Sequence, residues 1–564
     1  MKKSILLALV ILISATKISA QLFSESAASL GVNFSAGFQG YGSGVSCFDW
    51  NNDGLDDLTF AGATGPRFYV NNGNGFDQVE LGIVSSQEER SILWVDYDND
   101  GDSDLFITRF FGQWSLYRND GNNQFTNVTV SSGLLNPSVS ATHGACWGDV
   151  NNDSWSDLYI CNYSITSGVT NYFFLNNGNG TFTECAFIRG IDNGSKLSFQ
   201  GVFFDANMDG WQDLYVINDK TYSNTLYLNN GDGFFTDISQ SSQTDIVVDA
   251  MSNSIADYDN DGDLDIYISN IGENKLLVNN GDLTFSEMST TAQLASNQFC
   301  WGAVWLDVNL DMLQDLFVAT APINNLTKEN VLFTANANSY TLATNSGFVG
   351  LEDLTYCAAS GDFNNDGLPD IALSKKGQDS VDVWLNNSSP GNFLKVALEA
   401  TESNRDGIGS VIRCYSGGVQ QLRYTFCGEQ YMSQNSRYEL FGLNGEAIVD
   451  SLSVTWLSGT HDVFYDISPN QTLVVVEGSS SVTVNTEDNS VKTSSASIYY
   501  SNGVPVLHSE RLVDLSVFDQ QGRLILAKSV LGKYGLNELS QGVYFLKIQS
   551  DNEELIIEKV VVTN

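Results

Sequence analysis

Asp257, Asp259, Asp261 and Asp265 occupy positions 1, 3, 5 and 9 of the stretch DYDNDGDLD, with Gly262 at position 6. Carboxylates spaced so closely repel one another in a strand or helix, but they converge if the chain bends tightly around a cation. An all-oxygen, flexible loop suits Ca2+ better than Mg2+, which demands stricter geometry and keeps its waters. The carbonyl of residue 263 is a further expected ligand. A helix-flanked calcium hand needs a bidentate Glu at position 12; Ile268 stands there, and the flanks SNSIA and IYIS read as strands. The chemistry is ion binding in a turn between two strands.

Six more stretches repeat the spacing. They supply Asp49, Asn51, Asp53 and Asp57; Asp96, Asp98, Asp100 and Asp104; Asp149, Asn151, Asp153 and Asp157; Asp205, Asn207, Asp209 and Asp213; Asp307, Asn309, Asp311 and Asp315; and Asp362, Asn364, Asp366 and Asp370. Up to seven structural Ca2+ ions are expected. Position 6 is Ser154 in the third loop and Met312 in the sixth. Gly suits the bend there, so weaker or empty sites are expected in those two loops.

The loops recur roughly every fifty residues, the length of a four-stranded propeller blade. Each repeat has an apolar strand before the loop and a second after it, such as DLYIC at 157–161. A third ends in Asn-Asn-Gly, a strong hairpin signal because both residues tolerate positive φ, and a fourth opens with Phe-Thr or similar. The seventh repeat lacks its fourth strand; LFSESAASLGV at 22–32 carries the missing pattern and is expected to complete that blade. The fold class is all-β: a seven-bladed β-propeller with calcium loops, then a small β domain and a C-terminal β-sandwich.

Lys2, Lys3, the apolar run from Ile5 to Ile13 and Ala20 read as a secretory signal over 1–20. The propeller is expected over 21–391, a small β domain over 392–478, a Ser/Thr/Asn-rich linker over 479–497 and a last β module over 498–564. Fifty Gly and 16% charged residues fit turn-rich β structure. The net charge of −41 disfavours phosphate contacts, so nucleic acid is not an expected partner. None of the eight Cys forms a CxxC pair. Cys146 with Cys161, and Cys414 with Cys427, leave disulfides and buried thiols both open.

The repeats resemble VCBS/FG-GAP repeats, which in related proteins form a calcium-bearing propeller. The 392–478 segment resembles the ASPIC/UnbV domain, through Ser403-Asn404-Arg405-Asp406-Gly407-Ile408-Gly409, Gly428, Tyr431-Met432-Ser433-Gln434, Phe441-Gly442-Leu443, Val454-Thr455-Trp456-Leu457-Ser458-Gly459 and Asn470-Gln471. Leu457 replaces the usual Pro of that signature. The tail resembles a type A sorting domain of the type IX secretion system of Bacteroidetes, through Val517-Phe518-Asp519, Gly522-Arg523, Gly542-Val543-Tyr544-Phe545 and Lys559, without the final basic residue often seen there. The resemblance implies passage through that secretion machinery to the cell surface or medium.

No GxSxG, HExxH or Walker loop occurs, and no catalytic residues are assigned. Paired Asp suit glycoside hydrolysis, but seven recurrences in metal spacing point to bracing instead. The preferred expectation is a non-enzymatic binding or adhesion module for a glycan or extracellular protein. A carbohydrate-active or other hydrolytic enzyme, and a structural surface spacer, are the alternatives. The ligand face is expected opposite the calcium loops, with Arg90, His143, Phe199, Trp301, Tyr356 and Trp114 as candidates and ordinary channel packing as the competing reading of each. Ser43 and Met251 share the position six residues before a loop, and Phe110, Phe111 and Tyr163 lie in the longest loops. Asn404-Arg405-Asp406 is read as an internal salt-bridged turn or a contact docking this domain onto the propeller, with a ligand site as the alternative.

Overall fold

The computed structural model describes residues 21–479 apart from 38–39, 86, 137–140, 165–167, 322–328, 337–338, 350–353 and 377–380, and the strands of the tail between 496 and 562. The expected signal segment and most of the expected linker lie outside the described residues.

Among those residues, the first repeats build seven antiparallel units of four strands. The second unit runs Glu89–Val95, Asp104–Arg109, Ser115–Asn119 and Phe125–Asn127. Its first two strands are wholly buried, as expected where both faces of a sheet are covered by neighbouring sheets. The first strands of all seven units pack on one another in sequence, and Thr355–Gly361 of the seventh packs back on Val45–Cys47 of the first, closing a ring. The fifth and sixth units are also joined by hydrogen-bonded pairing of Ile271–Glu273 with Asn297–Phe299.

Closure is as the sequence suggested. Phe23–Glu25 pairs antiparallel with Asp382–Asn386 as the outer strand of the seventh unit. Joining the two ends of the ring within one sheet removes an open edge. One-turn helices that the sequence did not signal follow the outer strands at Ala186–Arg189, Ser239–Ser242 and Ser289–Ala292.

Two small sheets follow. Phe393–Glu399 lies between Glu439–Gly442 and, in parallel, Gln471–Val476. Val411–Ser416 lies between Val419–Tyr424 and Val449–Thr455, with His461–Ile467 outermost. Leu394, Val396, Ile412, Leu452, Val454 and Trp456 fill the space between the sheets.

In the tail the five described strands form one hydrogen-bonded sheet rather than two separate ones. The long strand Val504–Phe518 carries a register shift between Ser509 and Val513. Leu507, before the shift, clusters with Leu515, Val517 and Leu546 beyond it, so one sheet supplies both layers.

All eight cysteines are buried free thiols. Cys146 pairs with Tyr159 across its hairpin, a register that offsets it from Cys161.

Candidate metal centre

The seven acidic loops share one backbone. The residue at position 4 is left-handed in every loop, with φ between 52° at Asn152 and 58° at Asn52, Asn260 and Leu310. Position 6 is left-handed too, and Ser154 (φ 72°) and Met312 (φ 76°) adopt it as the glycines do. The first Asp holds the bend by accepting backbone N–H bonds from positions 5 and 6. In the second loop Asp96 accepts from Asp100 at 3.1 Å and Gly101 at 2.8 Å; in the third, Asp149 accepts from Asp153 at 3.0 Å and Ser154 at 2.8 Å. The ninth residue is pinned by the third strand, as where Asn119 N–H donates to Asp104 Oδ1 at 2.7 Å. Local turn chemistry thus delivers the carboxylates to one place.

Ligand oxygens of Asp96, Asp98 and Asp104, and again of Asp257, Asp259 and Asp265, lie within 4.8 Å of one another. Asp98 Oδ1 and Asn151 Oδ1 are buried without a hydrogen-bond partner. Where position 3 is Asn, its amide nitrogen faces a carboxylate, as Asn51 does toward Asp57 at 3.1 Å and Asn309 toward Asp311 at 2.9 Å. A half-turn of that amide presents its oxygen instead. Burial pushes the position-9 carboxyls of Asp104, Asp157, Asp213, Asp265, Asp315 and Asp370 well above the usual carboxylate range. It raises Asp57 and Asp96 to about 8, and Asp149, Asp257 and Asp307 to about 7. Carboxylates held so dry and so close stay charged when a cation shares the site. The residues fit Ca2+: oxygen donors throughout, several per loop, on a bend of sharp and repeated shape.

The loops are linked around the ring. Asn99 donates through its amide to the carbonyl of Ser154 at 2.9 Å, Asn152 to that of Gly210 at 3.0 Å, and Asn260 to that of Met312 at 3.0 Å. A second set of ties comes from the Asn-Asn-Gly turns. Asn176 reaches the carbonyl of Tyr97 at 2.9 Å, Asn229 that of Val150 at 2.7 Å and Asn279 that of Ala206 at 2.8 Å, each in the preceding unit. Sequence reasoning took these Asn residues as turn formers and missed the ties, because the partner lies a whole repeat away.

The second β domain sits on this acidic end. Lys395 Nζ lies 2.9 Å from Asp362 Oδ2 and 2.5 Å from Asn365 Oδ1. Tyr438 donates to Asp49 Oδ2 at 2.6 Å, and Arg437 to Asn52 Oδ1 at 2.7 Å. Asp406 Oδ2 accepts from the Asp96 N–H at 2.7 Å, while Arg405 N–H donates to Asn99 at 3.0 Å. The Asn404–Asp406 turn is therefore a docking contact. Gly442 packs so closely that a Cβ there would lie 2.2 Å from Asp307 Oδ2.

From this domain, residues 427–436 enter the ring. Gln434 is bound on all sides: its side-chain oxygen accepts from Trp94 N–H at 2.8 Å and Ser46 Oγ at 2.9 Å, and its amide nitrogen donates to Trp94 O at 2.8 Å. Trp147 N–H donates to Cys427 O at 3.0 Å. Tyr431 and Met432 join a core cluster with Phe199, Met251, Trp301 and Tyr356. The Tyr431 ring centroid is 5.2 Å from Trp301 and 5.8 Å from Phe199, and its hydroxyl donates to Tyr41 O at 2.9 Å.

This plug corrects the expected ligand face. Arg90, His143 and Phe199 are fully buried, as are Trp301 and Tyr356 to within a few per cent. Arg90 bonds Gly42 O and Glu88 and lies over Phe110, and His143 is packed among Tyr41, Phe110, Tyr163 and Phe199. Trp114 is fully buried and donates to Leu134 O at 2.9 Å. A seven-unit ring leaves a central gap that aromatic side chains and the inserted segment fill, so these residues pack rather than present a surface. Phe111 alone of the group is strongly exposed, beside Phe110 at 4.4 Å. The Gly428…Gln434 stretch was visible in the sequence, but nothing local said what it enters.

A fold of this kind, with this end, defines a class. The FG-GAP-like repeat model matches 49–107, 96–160, 205–268 and 257–318; the ASPIC and UnbV model matches 400–482; and the secretion system C-terminal sorting domain model matches 479–563. The chain thus carries FG-GAP-like repeats, an ASPIC and UnbV domain and a secretion system C-terminal sorting domain. Among individual proteins it is similar to cartilage acidic protein 1 of Mus musculus, 26% identical over 264 residues (41% of this chain, 40% of that one). The Homo sapiens protein is 25% identical over 267 residues (41% and 39%). The matched region thus spans about two-fifths of these relatives' length. A solved extracellular domain of a putative hybrid two component system from B. thetaiotaomicron is 13% identical, covering 96% of this chain and 66% of that one at a TM-score of 0.40. The tail directs secretion to the cell surface or extracellular space, and no described helix is long and apolar enough to cross a membrane.

Proposed function

We propose that the protein is a calcium-braced binding module of the cell exterior that holds a glycan or protein ligand without transforming it. The observation that carries this reading is the same acidic bend repeated seven times around one end of the ring, with carboxylates converging within 4.8 Å in two of the loops and Asp98 Oδ1 left without a partner. Calcium there neutralises the loops and fixes their bends, while the second domain roofs them. The role of the ion is structural: the ring supplies a rigid mount, and ligand contact falls to its outer surface, including the mouth around Phe111. A glycosidase needs an open cleft holding two carboxylates across a sugar linkage. Of the cavities between the domains, one of about 130 Å3 has room for a benzene-sized molecule, smaller than a disaccharide; a larger one, about 430 Å3, is bordered by Asp49, Asp53 and Asp96, carboxylates that the calcium reading assigns to the ion.

The test is calcium binding measured by titration and elemental analysis on EGTA-treated protein, followed by glycan-array and pull-down binding with and without calcium. Up to seven ions per chain are expected, with ligand capture and no product release. Absence of bound calcium ends the metal reading; release of product from a captured glycan ends the non-enzymatic one.

A further inference from the structure

We propose that the cavity between the propeller and the second β domain binds a small organic cation, with a primary ammonium group on Glu429 and an apolar body against Trp305 and Tyr424. The cavity, about 130 Å3, lies where the two domains meet and is lined from both sides. Domain junctions of this kind, largely apolar with a few converging polar groups, are common ligand sites.

The polar groups there are unevenly satisfied. Asp56 uses both oxygens, accepting from Ser436 Oγ at 2.6 Å and Asp362 N–H at 2.9 Å. Lys395 is engaged by Asp362 and Asn365. Arg423 donates to Leu422 O at 2.9 Å and lies over Phe441 at 5.0 Å. Glu429, by contrast, is 7% exposed and accepts from Asn435 N–H at 3.0 Å through Oε1, while Oε2 has no partner. Gln430 Oε1, on a residue 1% exposed, has none either. Both orphans are acceptors, and among the described lining residues no buried side-chain donor is left over. The missing occupant is therefore a donor.

An ammonium group offers three donors and no acceptor, and it matches Glu429 Oε2, the buried carboxylate oxygen of this cavity that has no hydrogen-bond partner. A bare metal ion fits less well. Among the described residues the carboxylates that converge within 4.8 Å are those of two acidic loops, and Glu429 is in neither group. Tyr424 and Trp305 give the cavity its apolar flank.

The experiment titrates benzylamine, and separately benzyl alcohol, into the full chain in excess calcium, following heat and tryptophan fluorescence. Saturable binding of one benzylamine is expected, at least about tenfold tighter than benzyl alcohol, since charge-assisted bonds are roughly twice as strong as neutral ones. Glu429→Gln, which keeps an acceptor for Asn435, is expected to erase that preference. Equal binding of the two probes by the wild-type chain overturns the proposal whether or not the variant folds, as does benzylamine binding unchanged in Glu429→Gln. The cavity borders Asp307 and Asp362, ligands in the calcium reading. Benzylamine binding seen only in EGTA would mark occupation of empty loops and would overturn this proposal while leaving that reading intact.

Discussion

The Tyr438 hydroxyl donates to Asp49 Oδ2 at 2.6 Å, so a residue of the second domain rests on the first ligand position of the first acidic loop. Lys395 does the same at Asp362 of the last loop, at 2.9 Å. Acidic loops and domain interface are therefore one structure, and disturbing either reaches the other.

Chelation is the direct test of that coupling. EGTA is expected to lower the melting temperature of the whole unit of ring and second domain by ten degrees or more (about 1 kcal/mol moves Tm by roughly 2–4 °C in a domain of 150–250 residues). Limited proteolysis should then cut both parts. A calorimetric trace unchanged by EGTA would mean the loops hold without an ion.

The pH dependence should reverse with calcium. Without the ion, Asp149 and Asp257 titrate near 7 and Asp205 near 6, raised by burial above the unfolded carboxylate value. A group raised in this way contributes stability that is complete below its unfolded pKa and lost as pH rises through the folded one. Calcium-free protein should therefore melt lower at about pH 8 than at about pH 5. With calcium the carboxylates must be ionised to bind, so the order inverts. Parallel slopes in the two conditions would refute the account.

Ser154 and Met312 hold the same left-handed bend but should answer differently to glycine. Ser154→Gly relieves a strained backbone at little loss of contact and is expected to stabilise by about 1 kcal/mol. Met312 is 4% exposed and belongs to the core of the second domain, packed with residues such as Leu394 and Phe441. Met312→Gly should therefore destabilise by about 2–4 kcal/mol despite relieving the backbone. Urea melts of both variants check the contrast, and a shared sign would contradict it.

The ties between units can be weighed at Asn229, whose amide bonds Val150 O at 2.7 Å and Gln212 O at 3.0 Å. Asn229→Ala leaves both carbonyls buried and is expected to cost about 1–3 kcal/mol. A loss below a few tenths would show the tie to be redundant.

Gly428 has φ 86°, and a Cβ there would lie 2.3 Å from Ala145 O. Gly428→Val should expel the inserted segment and expose Phe199 and Trp301 to quenchers of tryptophan fluorescence. Unchanged quenching in a folded variant would show that the segment tolerates the bulk.

What could be read from the sequence was what is local. Asp at position 1 fixes each loop through bonds to N–H groups four and five residues on, as Asp96 does, and Asp at position 5 through one two residues on, as Asp100 does with Asp102, so spacing alone was informative. Phe23–Glu25 was legible because it supplied a pattern missing elsewhere. Tyr431 and Gln434 were not, since they bond Tyr41 and Ser46 nearly four hundred residues away, and only the assembled ring creates the gap they fill. Arg90, His143 and Phe199 share one place in the repeat, and His143 packs on Phe199 at 5.0 Å between ring centroids. Their burial follows from that insertion, which no periodicity records.

The roof over the acidic loops has a kinetic corollary. Calcium bound as proposed would share Asp49 with Tyr438 and Asp362 with Lys395, so lifting the overlying domain would leave both carboxylates wholly to the ion. Metal exchange at these two loops would then carry the time of a domain motion beside the faster exchange through the exposed fifth position, such as Asp53.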